Sequence, residues 1–156
     1  MDTAYKTTLE LDKVLARAVQ LCACQETKEM MQALEPAPTV EDERYDLAQT
    51  NAINALLIKN GSPRFGSVHE VRRIVAHARK GGILSMGELL EIAATLRNFS
   101  GLSQWYGLSE HEMLPTDDLF FSLAPQPVLE KQISESILSP EEMADTASVM
   151  LHDLRR

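Results

Sequence analysis

The sequence predicts an all-α fold: one irregular multi-helix domain over residues 1–156. Three observations carry this expectation. Apolar side chains recur at helical spacing along most of the chain. Capping residues open these stretches, and glycine or proline closes them. No segment shows the alternation of a half-buried strand, and no low-complexity tract or internal repeat appears. The size suits one domain, and 44% hydrophobic with 24% charged residues is an ordinary globular composition.

Leu11, Val14, Leu15, Ala18 and Cys22 form the apolar face of a first helix within residues 8–24, capped by Thr7 or Thr8. A second helix, Glu26–Leu34, carries Met30, Met31 and Leu34 and ends before Pro36 and Pro38. Thr39 caps a long third helix. Glu41, Asp42 and Glu43 crowd its positive end, and Gly61 closes it. Its apolar face runs Ala48, Ala52, Ala55 and Leu56, flanked by Tyr45, Ile53 and Leu57.

Ser67-Val-His-Glu70 and Ser85-Met-Gly-Glu88 both have the capping-box pattern. The first predicts a helix with Val68, Val71, Ile74, Val75 and Ala78 inside, stopped by Gly81-Gly82. The second opens a helix carrying Leu89, Ile92, Ala93, Leu96 and Phe99 towards Gly107, with Glu88, Glu91, Thr95 and Asn98 on its wet side. Each serine cap is expected to contribute about 1 kcal/mol. Beyond Gly107, short helices are expected at Ser109–Leu114, Asp117–Leu123 and Val128–Ile137, and Ser148 caps a last one. Ser139-Pro140-Glu141-Glu142 reads locally as another helix start. The last helix stops mid-pattern at Leu154-Arg-Arg156, so the chain is expected to be a piece of a longer protein.

Composition narrows the function. Met1–Lys13 has no apolar core behind a basic start, and no apolar run is long enough to span a bilayer. No signal peptide and no membrane span are therefore expected. Cys22 and Cys24 fit a reducing compartment, hence an expected cytoplasmic location. The net charge of −8 argues against a domain whose whole surface grips nucleic acid. That charge is uneven: −4 over residues 1–60, +3 over 61–106 and −7 over 107–156.

Reactive motifs are sparse. Gly61-x-x-x-x-Gly66 has half the spacing of a phosphate loop but lacks the following Lys-Ser/Thr. Cys22-x-Cys24 is too tight for a zinc knuckle, and Cys22 reads as a small buried apolar residue. His69 and His77 lie about 12 Å apart along one helix, too far for one ion. His111 and His152 fall where the pattern is weak. The pairs Asp117-Asp118 and Glu141-Glu142 read as helix-dipole complements. No catalytic, cofactor-binding or metal-binding residue is expected. The basic cluster Arg64, Arg72, Arg73, Arg79 and Lys80 reads either as a solvated helix face or as one that contacts phosphate. No aromatic residue interleaves with these cations, and Trp105-Tyr106 reads as packing rather than base stacking.

Longer stretches carry a resemblance. Leu9-Glu-Leu-Asp-Lys-Val-Leu15, Gly66-Ser-Val-His-Glu-Val-Arg72, Lys80-Gly-Gly-Ile-Leu-Ser85, Glu88-Leu-Leu-Glu-Ile-Ala93 and Thr95-Leu-Arg97 come in an order that resembles the second bacterial branch of the MutS proteins. So do Ile133-Ser134, Asp145-Thr-Ala-Ser148 and the final Leu-Arg-Arg. The resembling part is that family's N-terminal core, or lever, region. It covers nearly the whole chain and is weakest over Gly107–Gln126.

The resemblance implies a homodimeric, DNA-binding ATPase that uses ATP and Mg²⁺, usually with a C-terminal Smr endonuclease domain. It also implies links to suppression of homologous recombination and to rescue of collided ribosomes, with ribosomal RNA as a further partner. The ATPase surfaces that would pair the dimer, the phosphate loop and the nuclease motif all lie outside these residues. This piece is therefore expected neither to hydrolyse ATP nor to cut DNA. The family further implies a short strand-turn element near 137–147, so Ser139–Glu142 is expected to turn rather than start a helix. A helical protein-interaction adaptor unrelated to DNA is the first alternative. An enzyme with its site among the acidic residues is the second.

Overall fold

A computed structural model describes residues 8–64, 66–108, 110 and 112–155. Among them the elements run α1 (Leu11–Val19), α2 (Gln25–Gln32), α3 (Val40–Asn60), α4 (Arg72–Arg79), α5 (Met86–Tyr106), α6 (Asp117–Phe121), α7 (Pro127–Ser136), β1 (Ile137–Ser139), β2 (Glu142–Met143), a 3-10 turn (Asp145–Ala147) and α8 (Val149–Leu154). The fold is mostly α with one small strand element, as expected. No helix among these residues is long and apolar enough to cross a membrane.

α1 is shorter than the apolar spacing implied. Glu10, in the left-handed conformation at φ 57°, stands at its N-cap. Thr8 therefore does not cap it, and Thr7 lies outside the described residues. α1 stops at Val19, and Cys24, in extended conformation, stands at the N-cap position of α2 without a side-chain cap. Leu11, Leu15, Ala18 and Cys22 are half-buried while Val14 is exposed, so Cys22 is only partly the core residue expected.

α3 follows expectation closely. The Thr39 hydroxyl accepts from the Asp42 amide at 3.1 Å, and Gly61 closes the helix at φ 72°, where a side chain would be strained. Leu56 is its buried residue, and Ala55 faces solvent.

The Ser67 capping box does not form. α4 starts at Arg72 with Val71 at its N-cap and no side-chain cap. The reason lies in α5. The Asn98 carboxamide accepts from the Gly66 amide at 2.8 Å and donates to the Ser67 carbonyl at 3.0 Å. Two bonds from one rigid amide fasten this backbone to α5, and the helix can begin only beyond them.

α4 ends in a Schellman motif. The Gly82 amide donates to the His77 carbonyl at 3.1 Å and the Gly81 amide to the Ala78 carbonyl at 2.9 Å, with Gly81 at φ 82°. The His77 ring lies against Gly82, where a Cβ would collide with it. α5 then opens on the expected capping box: the Glu88 amide donates to Ser85 Oγ at 3.3 Å, and the Ser85 amide to Glu88 Oε2 at 2.7 Å. The Ser85 amide and hydroxyl, both donating to Oε2, hold the Glu88 carboxyl below its usual pKa.

α5 joins two apolar clusters. Towards its start, Ala93 packs with Ile133 and Ile137 from the α7–β1 segment, and Met86, Leu89, Leu90 and Ile92 surround them. At its end, Trp105 and Tyr106 pack with Leu56 of α3, and with Leu57, Leu114 and Phe120. The Tyr106 and Phe120 rings stack at 3.9 Å between centroids and 7° between planes. Trp105 Nε1 donates to the Gly61 carbonyl at 2.8 Å, tying the end of α5 to the end of α3.

Thr116 is fully buried in the second cluster. The Tyr106 hydroxyl donates to Asp117 Oδ1 at 2.7 Å and therefore accepts from Thr116 Oγ1 at 2.8 Å. Asp117 Oδ2 accepts from the Leu114 amide at 3.1 Å. That bond shapes a turn, and Glu110 and residues 112–114 are not helical, against expectation; Ser109 and His111 lie outside the described residues.

The C-terminal part follows the resemblance rather than the local signal. β1 and β2 pair antiparallel, Ile137 opposite Met143, with Pro140 and Glu141 in the turn. The Ala144 amide donates to the Ser136 carbonyl at 2.9 Å. Ser148 caps α8 through the Leu151 amide at 3.1 Å. Arg155 Nη1 reaches back to the Met143 carbonyl at 3.0 Å and to Asp145 Oδ1.

Two measurements check this account. Ser85→Ala is expected to cost about 1 kcal/mol in denaturant unfolding, while Ser67→Ala changes stability by less than about 0.5 kcal/mol. Equal losses would mean that both caps form. Burial raises the Tyr106 pKa above its ordinary value, so the folded state holds the phenolic proton more tightly than the unfolded chain. That stabilisation is complete below about pH 10 and is lost as pH rises through the folded-state value. Tyr106→Phe is expected to flatten the fall in melting temperature above about pH 10.

Candidate nucleic-acid interface

The basic cluster sits mainly on α4. Arg72, Val75, Ala76 and Arg79 recur at i, i+3, i+4 and i+7, so they share a face. With Lys80 they line a shallow groove of about 490 Å³. Ile74, on the opposite side, is buried and anchors the helix. Val75, which the sequence pattern placed inside, is 42% exposed and belongs to the groove instead; Val68 and Ala78 are likewise exposed. The core side of α4 is narrower than its apolar content because residues 66–71 are not part of the helix.

The five cations are not equivalent. Arg72 Nη2 lies 3.5 Å from Glu26 Oε1 on α2, although the guanidinium is largely exposed. Arg73 turns away, its Nε 3.9 Å from Glu70 Oε1. Among the described residues, Arg79 and Lys80 have no carboxylate at ion-pairing distance. Arg64 is exposed in the loop after α3 and does not line the groove. The structure thus brings Arg72, Arg79 and Lys80 together and leaves Arg64 and Arg73 apart. Exposed pairs of this kind hold their partners weakly, so Glu26 and Glu70 can yield to a stronger anion. A groove with small apolar side chains between exposed guanidinium groups can receive phosphate oxygens, which arginine binds through paired N–H donors.

The other candidates lie elsewhere. His77 covers Gly82, and Asp117 serves the Tyr106 network. Asp118, Glu141 and Glu142 face solvent. Cys22 Sγ donates to the Ala18 carbonyl, and the Cys24 thiol is held below its usual pKa by its hydrogen bond to Thr27. Among the described residues no three His, Cys, Asp or Glu side chains converge as metal ligands would. The sequence missed Asn98, which was read as a solvent-facing residue. Only its pairing with a loop 31 residues away reveals its role, and helical spacing carries no signal of that.

Known proteins give a consistent picture. The chain is 31% identical over 158 residues to endonuclease MutS2 of Ruminiclostridium cellulolyticum, covering all of this chain and 20% of that protein. It is 30% identical over 160 residues to endonuclease MutS2 of Clostridium perfringens, again over its full length and 20% of the relative. With endonuclease MutS2 of Clostridium beijerinckii the identity is 29% over 150 residues, covering 95% of this chain and 19% of the relative. No family model and no solved structure matches. The helical scaffold and this whole-chain similarity define a region of the MutS family. Within that family the chain is a partial MutS2 region, spanning about a fifth of the length of the curated relatives it matches.

The geometry of α4 can be checked by stability alone. Ile74→Ala is expected to cost roughly 2–5 kcal/mol. Val75→Asp is expected to stay within about 0.5 kcal/mol of the parent. A severe loss at Val75 would return that side chain to the core.

Proposed function

We propose that this segment is a non-catalytic helical lever of a homodimeric MutS-type ATPase, coupling nucleotide-driven movement to a clamp around nucleic acid. The observation that carries the reading is the similarity of the whole chain to MutS2 proteins. ATP and Mg²⁺ belong, on this reading, to parts of the longer protein outside these residues, as does nuclease chemistry. DNA is the proposed polymer, with ribosomal RNA as its counterpart in ribosome rescue, and suppression of recombination as the process served. The proposed setting is the cytoplasm.

The architecture supports a mechanical role. α5 has 21 residues, about 31 Å at the usual rise, and both apolar clusters are built on it. Dense interiors transmit displacement rather than absorb it. Ile74 is the buried residue of α4, the Asn98 clasp fastens the preceding Gly66–Ser67 backbone to α5, and Arg72, Arg79 and Lys80 point outward. The local +3 charge of residues 61–106 lets this face approach phosphate although the chain as a whole is acidic.

Binding of duplex DNA to the 156-residue chain, followed by fluorescence anisotropy against salt, tests the phosphate-facing role. Affinity is expected to be weak, with a log–log salt slope no steeper than about −4, since few phosphates are neutralised. Replacing Arg72, Arg73, Arg79 and Lys80 with Glu is expected to abolish it. Binding that survives the replacement would reduce the cluster to a solvated face.

A further inference from the structure

We propose that the groove between α1 and α3 seats a basic amphipathic helix supplied by the part of the longer protein outside these 156 residues. The groove has a volume of about 600 Å³. Leu11 and Leu15 of α1, Leu34 beyond α2 and Leu47 of α3 supply its apolar walls, and Glu43 and Asp46 stand on its rim. Leu34 and Leu47 are each 53% exposed, a cost that an uncovered surface would keep incurring in water.

Three observations select the occupant. First, the chain exposes 11896 Å². A compact monomer of 17.4 kDa exposes about 7,800 Å². The excess of roughly 4,000 Å² is several times the area of about 800 Å² that each partner gives to a standard interface. α1 and α2 have no buried residue at all.

Second, among the described residues that line the groove none is cationic, and residues 1–60 carry a net charge of −4. A helix with an apolar stripe at i, i+3/i+4 and i+7, flanked by Lys or Arg, matches both walls and rim. A second copy of this chain, at net charge −8, would bring further negative charge to an acidic surface.

Third, the MutS2 relatives are about five times longer than this chain. A helix tethered in the same polypeptide meets the groove at high effective concentration and pays little for association. The proposal uses the length and similarity of these relatives, not the phosphate-facing reading of α4, so either can fail without the other.

The test uses the full-length protein with Leu47→Cys, and Thr50→Cys as a parallel probe on the same wall. Maleimide labelling at that position is read by peptide mass, relative to the same protein unfolded in urea. Labelling is expected to be slowed at least about tenfold, as for a site reached only by local opening. Adding Glu43→Lys and Asp46→Lys is expected to restore labelling severalfold. Rates close to those of the unfolded protein would overturn the proposal, because the groove would be open. So would protection indifferent to the charge reversal, since the occupant would not be basic, or protection lost on dilution, since the occupant would be a second molecule.

Discussion

One helix, α5, has to satisfy two apolar clusters at opposite ends of its length. Ala93 serves the first, and Trp105 with Tyr106 the second. A helix committed at both ends cannot rotate to improve one contact without spoiling the other. Its register is therefore set, and so is that of everything it holds. Asn98 reaches the Gly66–Ser67 backbone because both clusters hold α5 in place. Arg97 is likewise held so that it reaches Glu130 and Ser134 of α7. The polar network of Tyr106, Thr116 and Asp117 sharpens the second cluster, because hydroxyl groups buried there must find partners of defined geometry.

The charge pattern follows from the same frame. α5 is covered along most of its length and has only three charged residues, Glu88, Glu91 and Arg97. Cations gather on α4, whose one buried residue is Ile74. A helix with one anchor and an otherwise wet surface can carry several like charges, because water screens them. That economy separates the packing elements from the charged one, and the candidate interface lies on the latter.

Much of this was legible in the sequence where local chemistry decides the outcome. Thr39, Ser85 and Ser148 cap the helices they were expected to cap, and Gly61 and Gly81 close theirs with the positive φ that glycine takes at little cost. Ser67 has the same motif as Ser85 and fails, because a residue 31 positions away competes for its backbone. Long-range bonds of that kind leave no periodic trace. Val75 misled in a related way: its apolar character fits a core position, yet it is exposed on the outer side of α4. The hairpin at 137–143 was visible only through resemblance, since Ser-Pro-Glu-Glu opens a helix or fills a turn with equal ease. The cations of the candidate interface were all named in advance, but their division into groove and outlying residues depends on where α4 begins.

Arg155 gives the C-terminal end a particular mechanical character. Its guanidinium bonds across to Met143 and Asp145 rather than along α8. A pull on the chain beyond this residue is thereby shared with the hairpin, and through Ile137 with the first apolar cluster. Such a load acts in shear across several bonds together, instead of peeling one turn of α8 at a time.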